Sequence, residues 1–104
     1  MNQADVRVIA TDLDGTLLRS DGTISDRTLA ALAAAEDAGI TVVFVTGRPV
    51  RWMEDLFAHV GAHSVAILSN GALVWDVAEH RPITERPIEG DVLREACGAL
   101  RAAV

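Results

Sequence analysis

Residues 10–16 read ATDLDGT and set two carboxylates, Asp12 and Asp14, two positions apart. Alternate residues of a strand share a face, so the pair converges if strand geometry persists that far. Two anions so close repel, raising one pKa unless a cation intervenes. The chemistry that uses such a pair is Mg²⁺-assisted phosphoryl transfer. One carboxylate attacks, the other moves protons, and the hard cation neutralises both enzyme and phosphate. Gly15 lets the chain turn sharply and Thr16 adds a hydroxyl. Asp-x-Asp-Gly also serves as a plain turn. A calcium loop of the EF-hand kind is excluded, because counting from Asp12 its required Gly and Glu places hold Leu17 and Thr23.

Two further clusters carry polar chemistry. Thr46-Gly47-Arg48-Pro49 offers a hydroxyl, a flexible backbone amide and a guanidinium ahead of a helix start, a suitable cradle for phosphate. The same residues equally make an ordinary strand–turn–helix junction with Arg48 as a solvated charge. Ser69-Asn70-Gly71 is first of all a turn signal. Their placement strengthens all three clusters, since each follows an apolar run.

Those runs are 6–10, 40–45 and 65–68. The second and third are nearly unbroken, which predicts parallel strands covered on both faces. Between the first two, Ser25 is placed to cap a helix with Leu29, Leu32 and Ala33 on one face and Gly39 at its end. Between the second and third, Pro49 opens a predicted helix whose stripe is Trp52, Met53, Leu56, Phe57 and Val60, with Gly61 beyond. The alternation predicts an α/β fold: an open parallel sheet with right-handed crossovers, all three clusters on the rim where such sheets place ligands. Segments 72–75 and 82–86 flank a polar stretch and read as a hairpin, Pro82 suiting an edge. A last helix over 90–103 aligns Val92, Leu93, Ala96, Cys97 and Leu100 on one face.

The 104 residues amount to one domain or less, and half are hydrophobic, which excludes disorder. The 15 acids outweigh 9 bases, giving a net charge of -6 that argues against nucleic acid as a partner. No apolar run is long enough for a signal h-region or a membrane span, so a soluble cytoplasmic protein without a membrane partner is expected. One cysteine excludes a disulfide framework, and Cys97 is expected as a small buried hydrophobe. His59, His63 and His80 lack zinc spacing, and Trp52 and Trp75 are expected in packing roles. Neither G-x-G-x-x-G nor a P-loop occurs.

In this order and spacing, ATDLDGTLL, SDGTISDRTLAAL, VVFVTGRP and ILSNGALV resemble the haloacid dehalogenase superfamily of phosphohydrolases, and within it the Cof-type (class IIB) sugar-phosphate phosphatases. The resemblance implies a Rossmannoid core and a phosphatase of a small phosphorylated metabolite. Asp12 would be the nucleophile that forms an aspartyl-phosphate, and Asp14 the general acid and then base. Mg²⁺ would rest on the Asp12 carboxylate and the Asp14 carbonyl. Leu13, Thr46 and Gly47 would hold the phosphate, with Arg48 and Asn70 facing the substrate or its phosphoryl group. Residues 15–25 would form a flap that excludes water.

The family also uses a downstream Lys and a later acidic motif, and this chain contains no Lys. The expectation is therefore a fragment: a partial core over 1–89 including the hairpin 72–87, and the first helix of an α/β cap over 90–104. Its nucleophile strand would be an exposed apolar edge, open to self-association, and the 104 residues alone are expected to hydrolyse little. The alternatives are a class IIB phosphomutase and a non-catalytic remnant. A signalling receiver domain fails, because it needs an Asp where this chain has Leu68-Ser69-Asn70, and a Lys as well.

Overall fold

A computed structural model of the chain describes residues 5–58 and 65–104. Five strands form one sheet in the order β1 (Val8–Asp12), β2 (Thr41–Val45), β3 (Val65–Leu68), β4 (Leu73–Asp76) and β5 (Arg81–Glu85). The first three are parallel, and β4 and β5 complete the sheet antiparallel. The α/β architecture is the one the alternating pattern predicts. β1 starts and ends two residues later than the apolar run, because its pairing is set by β2, with Val8 opposite Thr41 and Asp12 opposite Val45.

α1 (Asp26–Asp37) starts where expected: the Ser25 hydroxyl oxygen accepts from the Thr28 amide at 3.1 Å. Gly39, at φ 82°, turns the chain back toward the sheet. After β2 the single predicted helix is instead two short pieces, a 3₁₀ turn over Val50–Trp52 and α2 (Glu54–Phe57). The tighter turn rotates Trp52 off the stripe, leaving it 62% exposed while Met53 is fully buried and Leu56 and Phe57 pack on the core. Val60, Gly61, His59 and His63 lie outside the described residues.

Val42, Phe44, Ala66 and Leu68 are buried on one sheet face together with Leu13, Leu18 and Met53. Val43, Val45, Val65 and Ile67 alternate with them and are only partly covered or exposed. Both-face coverage, expected from the unbroken apolar runs, is therefore not what the described residues show. The reason is topological. Strands laid down in the order β1, β2, β3 with right-handed crossovers carry both connecting helices onto the same face.

The hairpin is present, with Pro82 on the outer strand β5 beside a register irregularity at Val74/Trp75, where a missing amide costs nothing. Trp75 packs against the core and meets His80 edge-on at 5.6 Å between ring centroids. Its indole nitrogen is buried without a hydrogen-bond partner among the described residues. α3 (Gly90–Ala103) forms as predicted but is exposed along its whole length. Cys97 is consequently exposed, not buried, because nothing described covers that face.

The accessible surface of 7625 Å² exceeds the roughly 5,600 Å² usual for this mass. The radius of gyration of 17.0 Å likewise exceeds the about 13 Å of a compact domain. The excess is the open sheet face, the projecting α3 and the free edge of β1, where Val8 and Ile9 are exposed. No described helix is long and apolar enough to cross a membrane.

Candidate active site

The sheet register puts Asp12, Val45 and Ile67 side by side, so the segments that follow them leave the same rim. Backbone hydrogen bonds then lace the loops together. The Thr46 amide donates to the Ile67 carbonyl at 3.0 Å, the Asn70 amide to the Thr46 carbonyl at 3.3 Å, and the Ser69 amide to the Arg48 carbonyl at 3.1 Å. Asn70 sits in the left-handed region at φ 56°, a conformation Asn tolerates. This turn brings its side chain over Gly47, where a Cβ would lie 2.8 Å from the Asn70 Oδ1. Glycine there lets the Asn70 amide lie directly over the backbone, where a larger residue would turn it aside.

The result is a cleft of about 450 Å³ lined by Asp12, Thr46, Gly47 and Asn70, with Ala10, Thr11 and Val45 as its remaining wall. Asp12 Oδ1 accepts from the Leu13 amide at 2.7 Å, and the Thr46 hydroxyl oxygen accepts from the Arg48 amide at 3.1 Å. Leu13 itself is fully buried, so its side chain belongs to the core. What it offers a ligand is its amide, which here is given to Asp12.

Asp14 and Arg48 are not among the residues lining that cleft. β1 ends at Asp12, and Asp14 lies in the wide turn Leu13–Leu17, closed by the Leu18 amide donating to the Leu13 carbonyl at 2.9 Å. The shared strand face expected for the two acids therefore does not extend to Asp14. Its carboxylate instead takes both arms of the Arg48 guanidinium, Nε at 2.9 Å from Oδ2 and Nη2 on Oδ1. Repulsion between the acids predicted a raised pKa in the absence of a cation. Here the Arg48 hydrogen bond holds the Asp14 carboxyl below the usual carboxylate range, and Asp14 in turn raises the guanidinium. No local pattern announces this pair, which joins loops 34 residues apart.

Among the described residues no three His, Cys, Asp or Glu side chains group to hold a metal ion. Mg²⁺ asks less of a protein: one or two carboxylates, with waters and substrate phosphate completing the octahedron. The donor set fits that demand, because Asp12 Oδ2 has no hydrogen-bond partner among the described residues, and the donors on hand are oxygens.

A carboxylate, a hydroxyl and a glycine amide meet on the rim at the ends of the three parallel strands of an α/β sheet. The profile of the haloacid dehalogenase-like hydrolases matches residues 9–102, and the chain belongs to that family. It is 40% identical over 72 residues to the 5-amino-6-(5-phospho-D-ribitylamino)uracil phosphatase YcsE of Bacillus subtilis, covering 69% of this chain and 29% of that protein. It is 43% identical over 77 residues to the HMP-PP phosphatase of Yersinia pestis, covering 74% and 28%. A haloacid dehalogenase-like hydrolase structure from B. subtilis superposes with a TM-score of 0.81 at 33% identity, over 94% of this chain and 34% of that one. The chain thus spans under a third of the length of these curated relatives.

Proposed function

We propose that this chain carries the nucleophile-bearing part of a Mg²⁺-dependent phosphohydrolase for a small phosphorylated metabolite. The observation behind the reading is the single cleft shared by Asp12, Thr46, Gly47 and Asn70 in a member of this family. The named activities of the two relatives, one on a phosphorylated ribitylaminouracil and one on HMP-PP, support a small phosphate substrate.

In this reading the Thr46 hydroxyl and the Gly47 amide hold the phosphoryl oxygens, joined by the Leu13 amide once it leaves Asp12 Oδ1, and Asn70 faces them across the cleft. An Asp12 oxygen attacks phosphorus, forming an aspartyl-phosphate as the ester P–O bond breaks. Asp14 gives a proton to the departing oxygen, then takes one from the water that cleaves the acyl phosphate. To do so it must leave Arg48, whose guanidinium then faces the substrate. Mg²⁺, held by the Asp12 carboxylate and the Asp14 carbonyl, would supply charge neutralisation for nucleophile and phosphate. Residues 1–89 then form a partial core and 90–104 begin a cap, with the balancing cation and further acids coming from sequence beyond this stretch. The full exposure of α3 supports that division.

The test is turnover in the complete gene product. Phosphate release from p-nitrophenyl phosphate should require Mg²⁺, and Asp12→Asn should abolish both the burst and the steady rate. Release that persists in Asp12→Asn overturns the reading.

A further inference from the structure

Arg48 lines a second cleft of about 450 Å³, separate from the one at Asp12. Leu18, Leu29 and Leu56 supply its apolar wall, and two more acids, Asp26 and Asp55, line it as well. Among the described residues Arg48 is the one base there. Its guanidinium gives Nε and Nη2 to Asp14, while Nη1 has no hydrogen-bond partner among the described residues. Neither Asp26 nor Asp55 has an ion-pair or hydrogen-bond partner among those residues. Asp26 has a local reason for its place, in the first turn of the twelve-residue α1, where a carboxylate complements the helix dipole. Asp55 has none of comparable weight, because α2 is four residues long and carries little dipole.

We propose that Asp55 is a positioning residue that takes up the Arg48 guanidinium when Asp14 leaves it to move protons. The proposal rests on the phosphohydrolase reading and adds to it the group that makes the release of Asp14 possible. The Arg48 side chain is only 30% exposed, so losing Asp14 without a replacement would leave a half-buried cation unpaired. The equilibrium would then favour recapture of the acid. An exposed pair contributes little, and exchanging Asp14 for another exposed carboxylate is therefore close to neutral. Arg48 borders the cleft that holds such a carboxylate already. A guanidinium has five N–H donors in a planar fork, so one edge can rest on Asp55 while another faces the substrate.

The experiment follows the Arg48 Nε–H NMR signal and the turnover of p-nitrophenyl phosphate in the complete gene product. With Asp14 in place the guanidinium is held there, so Asp55→Asn alone should leave the signal where it is. In Asp14→Asn the arginine passes to Asp55, and adding Asp55→Asn should shift the signal a second time. Asp55→Asn should lower kcat about threefold, the scale of an exposed ion pair, with KM within twofold. Asp55→Glu should restore kcat, and Asp26→Asn should leave it unchanged. The proposal is overturned if Asp55→Asn moves the signal equally in both backgrounds, moves it in neither, or leaves kcat unchanged. An equal loss in Asp26→Asn overturns it too. Turnover that persists in Asp12→Asn, with the Arg48 signal behaving as expected, overturns the phosphohydrolase reading and leaves the arginine exchange standing.

Discussion

Asn70 Oδ1 stands 2.8 Å from the point a Cβ on Gly47 would occupy, so the two loops that follow β2 and β3 meet with room for a hydrogen atom and nothing larger. Gly47→Ala should push the Asn70 amide aside by rotation, at little cost in stability because the displaced group is a side-chain end. Removing a glycine can itself contribute about 0.4–1 kcal/mol by narrowing the unfolded ensemble. The expected outcome is a thermal midpoint within a few degrees of wild type and phosphate affinity lowered about tenfold, worth roughly 1.4 kcal/mol. Calorimetry and a phosphate titration read the two separately.

Asp14 and Arg48 form a two-armed pair on an exposed surface, with side-chain accessibilities of 58% and 30%. Exposed pairs contribute little to folding, so Asp14→Asn should barely move the denaturation midpoint. It should free the guanidinium, and the Arg48 Nε–H resonance, slowed in exchange by the carboxylate, should broaden and shift. An unchanged Nε–H signal in Asp14→Asn would show that the pair does not form in solution.

In the turn 19–23 the Thr23 hydroxyl donates to Asp21 Oδ1 at 2.6 Å and its amide does so at 3.0 Å. The hydroxyl bond first, then the amide bond, lowers the Asp21 pKa below the ordinary 3.8. A depressed carboxyl pKa means that the stabilisation is fully present above the unfolded value and is lost as pH falls through the folded one. Thr23→Val should therefore flatten the acid side of the stability profile below about pH 4 and leave pH 7 nearly parallel to wild type. Urea midpoints between pH 7 and pH 2.5 measure it.

The buried indole nitrogen of Trp75 has no hydrogen-bond partner among the described residues. Leaving such a donor unmade costs about 1–3 kcal/mol, while trimming the ring to phenyl sacrifices apolar area. The two effects oppose, so Trp75→Phe should change stability by under about 1 kcal/mol, against the about 3–5 kcal/mol usual when a buried Trp is cut to Ala. A loss for Trp75→Phe as large as for Trp75→Ala would mean that the nitrogen is bonded.

By itself the sequence determined where β2 and β3 end and placed the end of β1 within two residues, and with them the rim. The second and third apolar runs stop where Thr46 and Ser69-Asn70 begin, and a parallel sheet aligns such ends whatever its other details. It also determined the cap at Ser25, the hairpin and α3, because each follows from short-range spacing and turn chemistry. Only the tertiary structure decided that Asp14 turns from Asp12 to Arg48, since a pairing across 34 residues leaves no periodic trace. It alone bared Trp52 where a helical stripe foretold burial. The same holds for Cys97 and for the half-covered sheet. An apolar residue states what it favours against water, but whether anything covers it depends on where the other elements lie.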